Sequence, residues 1–237
     1  MQKYYRIAGL SVQMNAGGKT DIQAEPYRIY QPENIDITIT TDGSELLLRW
    51  PEMEPDLAEY LATGAQFYCG LLAFLGMMLH SSAVVVDGRA YLFTADPGTG
   101  KSTHTSLWLK QFGDRAFILN DDKPAVRYED GVWYAYGTPW SGKHDISKNV
   151  RAPIAGIAAL EQAESNSISL LTGREAVFKV MKQVNKPKEA EYRAQLLKVV
   201  DMLVSQVPIW RLKCNMDPEA AVVSYEAMSG QKFVKEN

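Results

Sequence analysis

The sequence predicts an α/β fold on a mixed sheet, preceded by a small β-rich region. Three observations predict it. From residue 84 onward, short apolar stretches with strand composition alternate with stretches of helical spacing. Two strand pairs close on Asp87-Gly88 and Glu129-Asp-Gly131, so hairpins enter the sheet and it is not purely parallel. Residues 1 to about 50 read instead as short strands separated by turns. The chain divides on this basis into 1–55 and 56–237.

In the first part, Tyr27–Tyr30 is a candidate strand, and Ile35–Thr40 alternates at the two-residue period of a half-buried strand. Asp42-Gly43 turns the chain into a further expected strand, Leu46–Trp50. Pro51, Pro55 and the acids between them make a break, and Asp56 is placed to cap the next helix. That helix is expected over Leu57–Leu79. Leu61–Val86 carries no Asp, Glu, Lys or Arg, long enough to raise a membrane span. Gln66, Gly64 and Gly70 dilute it, Ser81-Ser82 breaks it, and β-branched Val84–Val86 closes on a turn. We therefore expect a buried helix followed by a central strand.

Further elements are expected in order. Val84–Val86 and Tyr91–Thr94 form a hairpin, then Lys101–Phe112 a helix and Ala116–Leu119 a strand. Ala125–Tyr128 and Val132–Tyr136 form a second hairpin. A Gly/Pro/Ser-bearing loop covers Gly137 to about Pro153, followed by strand Ile154–Leu160. Glu175–Val184 and Glu189–Val207 read as amphipathic helices, Ile209–Cys214 as a strand, and Pro218–Met228 as a closing helix capped by Asp217.

Composition narrows the function. With 237 residues and 46% hydrophobic content the chain can bury a core, which excludes disorder as its main state. Lys and Arg number 25 against 28 Asp and Glu, so no basic surplus favours nucleic acid as a partner. Two cysteines are too few for a disulfide scaffold, and no apolar run follows the first residues. A cytoplasmic protein is the resulting expectation.

The informative segment is Tyr91–Thr103: a strand, a Gly-rich turn and a helix. Backbone N–H groups in such a turn converge on phosphate oxygens, and the helix N-terminus adds its positive end. Ala95, Asp96, Pro97, Gly98, Thr99, Gly100, Lys101, Ser102 and Thr103 are the expected nucleotide-binding residues. Lys101 would reach the β- and γ-phosphates and the Ser102 hydroxyl would ligate Mg²⁺. The pattern G-x-x-x-x-G-K-[ST] is met except that Ala95 stands at its first glycine. A second Gly-Lys-Thr, residues 18–20, has Gln13 at that position and Pro26 soon after, and reads as a surface turn.

Twenty residues past Lys101, an apolar strand ends in Asp121-Asp122. Acids at that place suit metal and proton handling beside a phosphate turn. Strand alternation sends the two carboxylates in different directions, so one can hold Mg²⁺ and the other accept a proton. His80 precedes the strand that pairs into the cradle hairpin and falls near the same sheet end. His104, on the cradle helix, reads as structural or surface. Trp108, Tyr136 and Trp140 read as packing before groove lining.

Together His80–Gly88, Ala95–Ser102 and Ile118–Asp122 resemble the HPr kinase/phosphorylase family, within the phosphoenolpyruvate-carboxykinase-like P-loop fold. The resemblance covers about residues 57 to 136. Gly137–Gly142 and Ala152–Leu160 are similar to shorter HPr-kinase-like proteins. It implies ATP and Mg²⁺ as cofactors and phosphorylation of a serine hydroxyl on a protein or peptide. By resemblance Asp122 is the proton acceptor, His80 supports it, Lys101 contacts phosphate, and Ser102 and Asp121 serve the metal. The family's downstream Gly-rich signature, with its glutamate and arginine, is not found; Lys143 or Arg151 stands nearest for its positive charge. The family's hexamers imply a homo-oligomer. Two alternatives use the same cradle: a nucleotide-binding regulatory module without turnover, and a small-molecule kinase.

Overall fold

The structure, a computed structural model, describes residues 2–234; Met1 and residues 235–237, the ends of the two expected units, lie outside them. A small sheet is built from β1 (Tyr4–Ile7), β2 (Leu10–Met14), β3 (Arg28–Ile29) and β4 (Ile37–Ile39), in the order β3-β1-β2-β4. β4 runs parallel to β2 and forms one edge. Helix α3 (Pro55–Leu71) covers this sheet. Tyr60, Phe67, Tyr68 and Leu71 form one stripe of it and are buried with Tyr5, Val12 and Ile39. Their spacing is that of one helical face.

A larger mixed sheet follows. Its strands are β5 (Gly76–Met78), β6 (Ser81–Val86), β7 (Arg89–Thr94), β8 (Ala116–Asp122), β9 (Ala125–Glu129), β10 (Val132–Tyr136), β11 (Arg151–Gln162), β12 (Ser167–Leu170) and β13 (Ile209–Cys214). The order is β5-β9-β10-β11-β7-β6-β8, with β13 beside β11 and β12 beside β13. β11 is parallel to β7 and β13, while β6–β7, β6–β8, β9–β10 and β10–β11 are antiparallel. The fold is therefore mixed α/β, as the two hairpin turns imply. Helices cover both faces. α4 (Lys101–Phe112) and α7 (Glu219–Ser229) bury Leu107, Trp108 and Tyr225 against Val84, Val86 and Phe93. α5 (Gly173–Lys182) and α6 (Ala190–Gln206) bury Val180, Leu196 and Leu203 against Val85, Leu92 and Ile157 on the other.

Several expectations are corrected. Leu46–Trp50 is not a strand but lies in helix α2 (Ser44–Arg49) and its C-cap. Three successive leucines lack the two-residue alternation, and the Asp42 carboxylate accepts from Ser44 N at 2.9 Å to start the turn. Gly18-Lys19-Thr20 is no surface turn; it opens helix α1 (Gly18–Ala24), where Thr20 is buried and Lys19 pairs with Asp145 at 2.8 Å. The long helix stops at Leu71, not Leu79. A 3₁₀ turn and a left-handed Leu75 (φ 54°) redirect the chain into β5, which pairs with β9. Glu54 and Pro218, not Asp56 and Asp217, hold the N-cap positions, with Pro55 at the first turn where its missing N–H costs nothing. β11 begins at Arg151, inside the expected loop, and β12 has no counterpart in the sequence reading. Among the described residues no helix is long and apolar enough to cross a membrane.

His104 is buried, not surface. Trp108 Nε1–H donates to His104 Nε2 at 3.1 Å, and the Ser224 hydroxyl lies 3.2 Å from the same nitrogen. Burial holds the imidazole down to about 4, so it is neutral near pH 7. The folded value lies below the unfolded value of about 6.5, so the unfolded chain binds the proton first. Stability from neutral His104 is complete above about pH 6.5 and is lost as pH falls toward 4. Urea unfolding of His104→Gln should therefore show a flatter acid limb than the parent, by on the order of 3 kcal/mol at the full shift. Parallel limbs would contradict this assignment.

Candidate functional site

The site forms where β7 ends, the Gly-rich turn bends and α4 begins. Ala95 is buried beneath the turn, and Asp96, Pro97 and Gly98 project into solvent. Thr99 N donates to Asp96 O at 3.2 Å and closes the bend. Gly100, the N-cap of α4, adopts φ 110°, which a side chain would disfavour, and the first free N–H groups of the helix follow directly on the turn. Lys101 folds back and donates to Ala95 O at 3.1 Å, bridging both ends of the turn. Partial burial lowers its ammonium from the ordinary lysine value, while Asp122, Asp121 and Asp96 oppose that shift. Ser102 and Thr103 are exposed at the start of the helix.

The carboxylates reach this helix end through β6. Ser82 on β6 lies opposite Asp121, Ser81 lies opposite Asp122, and Ser82 Oγ meets Thr105 Oγ1 of α4 at 3.0 Å. A register shift between Ala83 and Val84 leaves Leu119 without a partner on β6. Ala116 and Ile118 face α4, so strict alternation would turn Asn120 toward it. The bulge changes that parity and brings Asp121 instead. The Ser102 hydroxyl then donates to Asp121 Oδ1 and Oδ2 at 3.2 and 3.1 Å. Asn120 turns inward and donates to Trp140 O at 2.9 Å, while its Oδ1 accepts from Lys123 N at 2.8 Å.

Asp122 points elsewhere, as alternation requires. His80 Nε2 donates to its Oδ1 at 2.8 Å and Lys123 Nζ to its Oδ2 at 2.5 Å. Burial alone would raise this carboxyl, but the hydrogen bonds and charges of His80 and Lys123 outweigh it and hold it well below the usual carboxylate range. The backbone of Asp122 has φ 112°, a strained value for a residue with a side chain. Lys123 O is fixed by Tyr68 Oη and Thr138 Oγ1 at 2.5 and 3.0 Å. Gly142 approaches on the other side, donating to Asp121 O at 2.6 Å where a Cβ would sit 2.9 Å from that oxygen. His80 is itself held twice by Gln183, through backbone N to Gln183 O at 2.7 Å and Nδ1 to Gln183 Oε1 at 3.1 Å. A cavity of about 180 Å³ lies alongside, lined by Thr94, Asp96, Thr99, Glu161, Lys179 and Gln183.

The structure thus brings together the turn residues 95–103, His80, Asp121 and Asp122. Arg151 is not among them: it pairs with Glu129 and lies over Tyr134 at 4.4 Å. Lys143 is exposed in the loop after Gly142. The cation at the carboxylates is Lys123, which sequence reasoning missed although it directly follows the pair. Gln183 also escaped notice, since nothing in sequence links the end of α5 to His80. Trp108, Tyr136 and Trp140 are buried packing residues.

No family model and no curated protein matches the chain. Among solved structures, the Hpr(Ser) kinase/phosphatase from Coxiella burnetii aligns at 12% identity over 52% of this chain and 86% of that one, with a TM-score of 0.30. At that level the likeness carries no functional argument.

Asp122→Asn keeps the side-chain shape and removes the charge shared by His80 and Lys123. The folded carboxyl lies below its ordinary value near 3.9, so its contribution is present above about pH 4 and lost as pH falls through the folded value. Thermal melts should show the variant less stable near pH 7 by roughly 1–3 kcal/mol, with the gap closing below about pH 4. A gap that ignores pH would contradict the assignment.

Proposed function

We propose that this chain is a Mg-ATP-dependent kinase that transfers the γ-phosphoryl group to a serine hydroxyl of a protein or peptide. The observation that supports this reading above all others is the Ser102–Asp121 contact at the N-terminal end of α4, with the His80–Asp122–Lys123 cluster on the next residue of β8 and the Asp122 charge acting on Lys101. Phosphoryl transfer asks little covalent work of a protein and much positioning of charge, and this cluster is built for positioning.

The turn and the start of α4 hold the phosphate chain through backbone N–H groups. Lys101 is free to exchange Ala95 O for phosphate oxygens, where its charge offsets the negative charge of the leaving diphosphate. Ser102 and Asp121 offer a hydroxyl and a carboxylate about 3 Å apart, hard oxygen donors that fit Mg²⁺. Among the described residues no cluster of three His, Cys, Asp or Glu side chains is placed to hold a metal. That donor set suits an ion completed by phosphate oxygens and water. Bound Mg²⁺ would supply neutralisation of phosphate charge and a fixed orientation.

Asp122 accepts the proton of the attacking serine hydroxyl as the new P–O bond forms and the bond to the leaving diphosphate breaks. Its lowered basicity makes it a weak base, which suits a loose transition state in which the hydroxyl proton is lost late. His80 and Lys123 set its direction, and Gln183 sets His80. The serine-acceptor class comes from the family resemblance.

A second reading is a nucleotide-binding module without turnover. The observation on its side is that both Asp122 oxygens already have donors, His80 Nε2 on one and the Lys123 ammonium on the other. Labelled-ATP assays with a serine-containing acceptor, run beside nucleotide-binding measurements, separate the two. Lys101→Ala should lower turnover by roughly 10²- to 10³-fold. Asp122→Asn should lower it by roughly 10²- to 10⁴-fold while nucleotide binding persists. Binding without any phosphorylated product would favour the second reading, and full turnover by Asp122→Asn would remove the proton-acceptor role.

A further inference from the structure

A groove of about 1380 Å³ opens on the face of α3 turned away from the small-sheet core. Leu57, Leu61 and Ala65 of α3 line it, with Trp50 from the following loop of α2 and Tyr192 from α6. Leu57, Leu61 and Trp50 are 44%, 37% and 38% exposed, large apolar side chains left to solvent. The volume exceeds the usual 300–1,000 Å³ or so of small-molecule sites. One wall is Asp36, Ile37 and Thr38, the start of β4, and β4 is an edge strand of the small sheet. The rim is acidic: Asp36, Glu45, Glu52, Glu189 and Glu191 face Lys186 and Lys188.

We infer that this groove binds an extended peptide segment that adds as a strand beside β4, setting alternate apolar side chains on the α3 floor and basic side chains against the acidic rim. An edge strand offers unpaired backbone groups, and a strand laid on it presents every second side chain to one surface. The apolar floor matches one set, and the surplus of rim acids matches Lys or Arg in the other. The site lies apart from the Gly-rich turn. The opposite stripe of α3 carries Tyr60 and Tyr68, whose hydroxyls donate to Ser141 O at 3.1 Å and Lys123 O at 2.5 Å, so one helix backs both surfaces. The inference is independent of nucleotide chemistry.

The test is fluorescence anisotropy without nucleotide, using three labelled synthetic peptides. One alternates leucine with lysine, one alternates leucine with glutamate, and one is the leucine–lysine peptide N-methylated at alternate residues so that it cannot donate along a strand. The parent should bind the first about tenfold or more tightly than either other peptide, a difference of about 1.4 kcal/mol. Ala65 is exposed in the groove, so Ala65→Trp fills it without entering the core, and should abolish that preference. Glu45→Lys with Glu52→Lys should abolish the charge preference alone. Equal binding of the two charge forms, or binding that survives Ala65→Trp, would overturn the inference. So would self-association in sedimentation that Ala65→Trp removes, since the occupant would then be a second copy.

Discussion

The pairing of β6 with β8 is the constraint on which the rest depends. Two adjacent aspartates on a strand point to opposite faces, and neither would serve the Gly-rich turn unless the strand were held in one register. Ser82 opposite Asp121 and Ser81 opposite Asp122 set that register. The unpaired Leu119 then decides which residue meets α4. Without it, parity would deliver the amide of Asn120 to Ser102 in place of a carboxylate. The same strand β6 continues backward into His80, so one ladder places three polar groups around the helix end.

This arrangement concentrates charge at a cost in backbone strain. Asp122 sits at φ 112° and is held by two donors, His80 Nε2 and the Lys123 ammonium. The flanking backbone is tied down: Lys123 N donates to Asn120 Oδ1, Lys123 O accepts from Tyr68 and Thr138, and Asp121 O accepts from Gly142 N. Strain of this kind, of order 1–3 kcal/mol, persists where surrounding contacts over-determine it. The outcome is two carboxylates of different character: Asp121, buried and bonded to a hydroxyl, and Asp122, partly exposed and held ionised. Different environments for neighbouring acids are what divides metal holding from proton transfer in the proposed reaction.

Much of this was legible in the sequence because local rules govern it. The Gly-rich turn, the helix Lys101–Phe112 and the Asp87-Gly88 hairpin each follow from residues close in the chain, and each lies where local spacing puts it. The hairpin register put His80 near the cradle end of the sheet, while its contact with Asp122 comes from the pairing of β6 with β8. Other features depend on contacts remote in sequence. Leu46–Leu48 are apolar enough for a strand, yet form a helix beside α3 that leaves Leu48 exposed. The long apolar run from Leu61 hides a change of direction at Leu75, which no glycine or proline marks at that residue. The bulge at Leu119, the Lys123 ammonium and the support of Gln183 for His80 leave no periodic trace. His104, structural or surface by sequence, is structural, and its partners Trp108 and Ser224 close the choice.

In the proposed reaction the bend before α4 would hold a triphosphate together with a divalent ion at Ser102 and Asp121. Isothermal titration calorimetry of the intact chain with ATP, once with magnesium and once with a chelator, measures it most directly. Saturable one-to-one heat is expected with magnesium, and affinity weaker by about tenfold or more with the chelator. No heat with magnesium in excess, or identical affinity under both conditions, would contradict it.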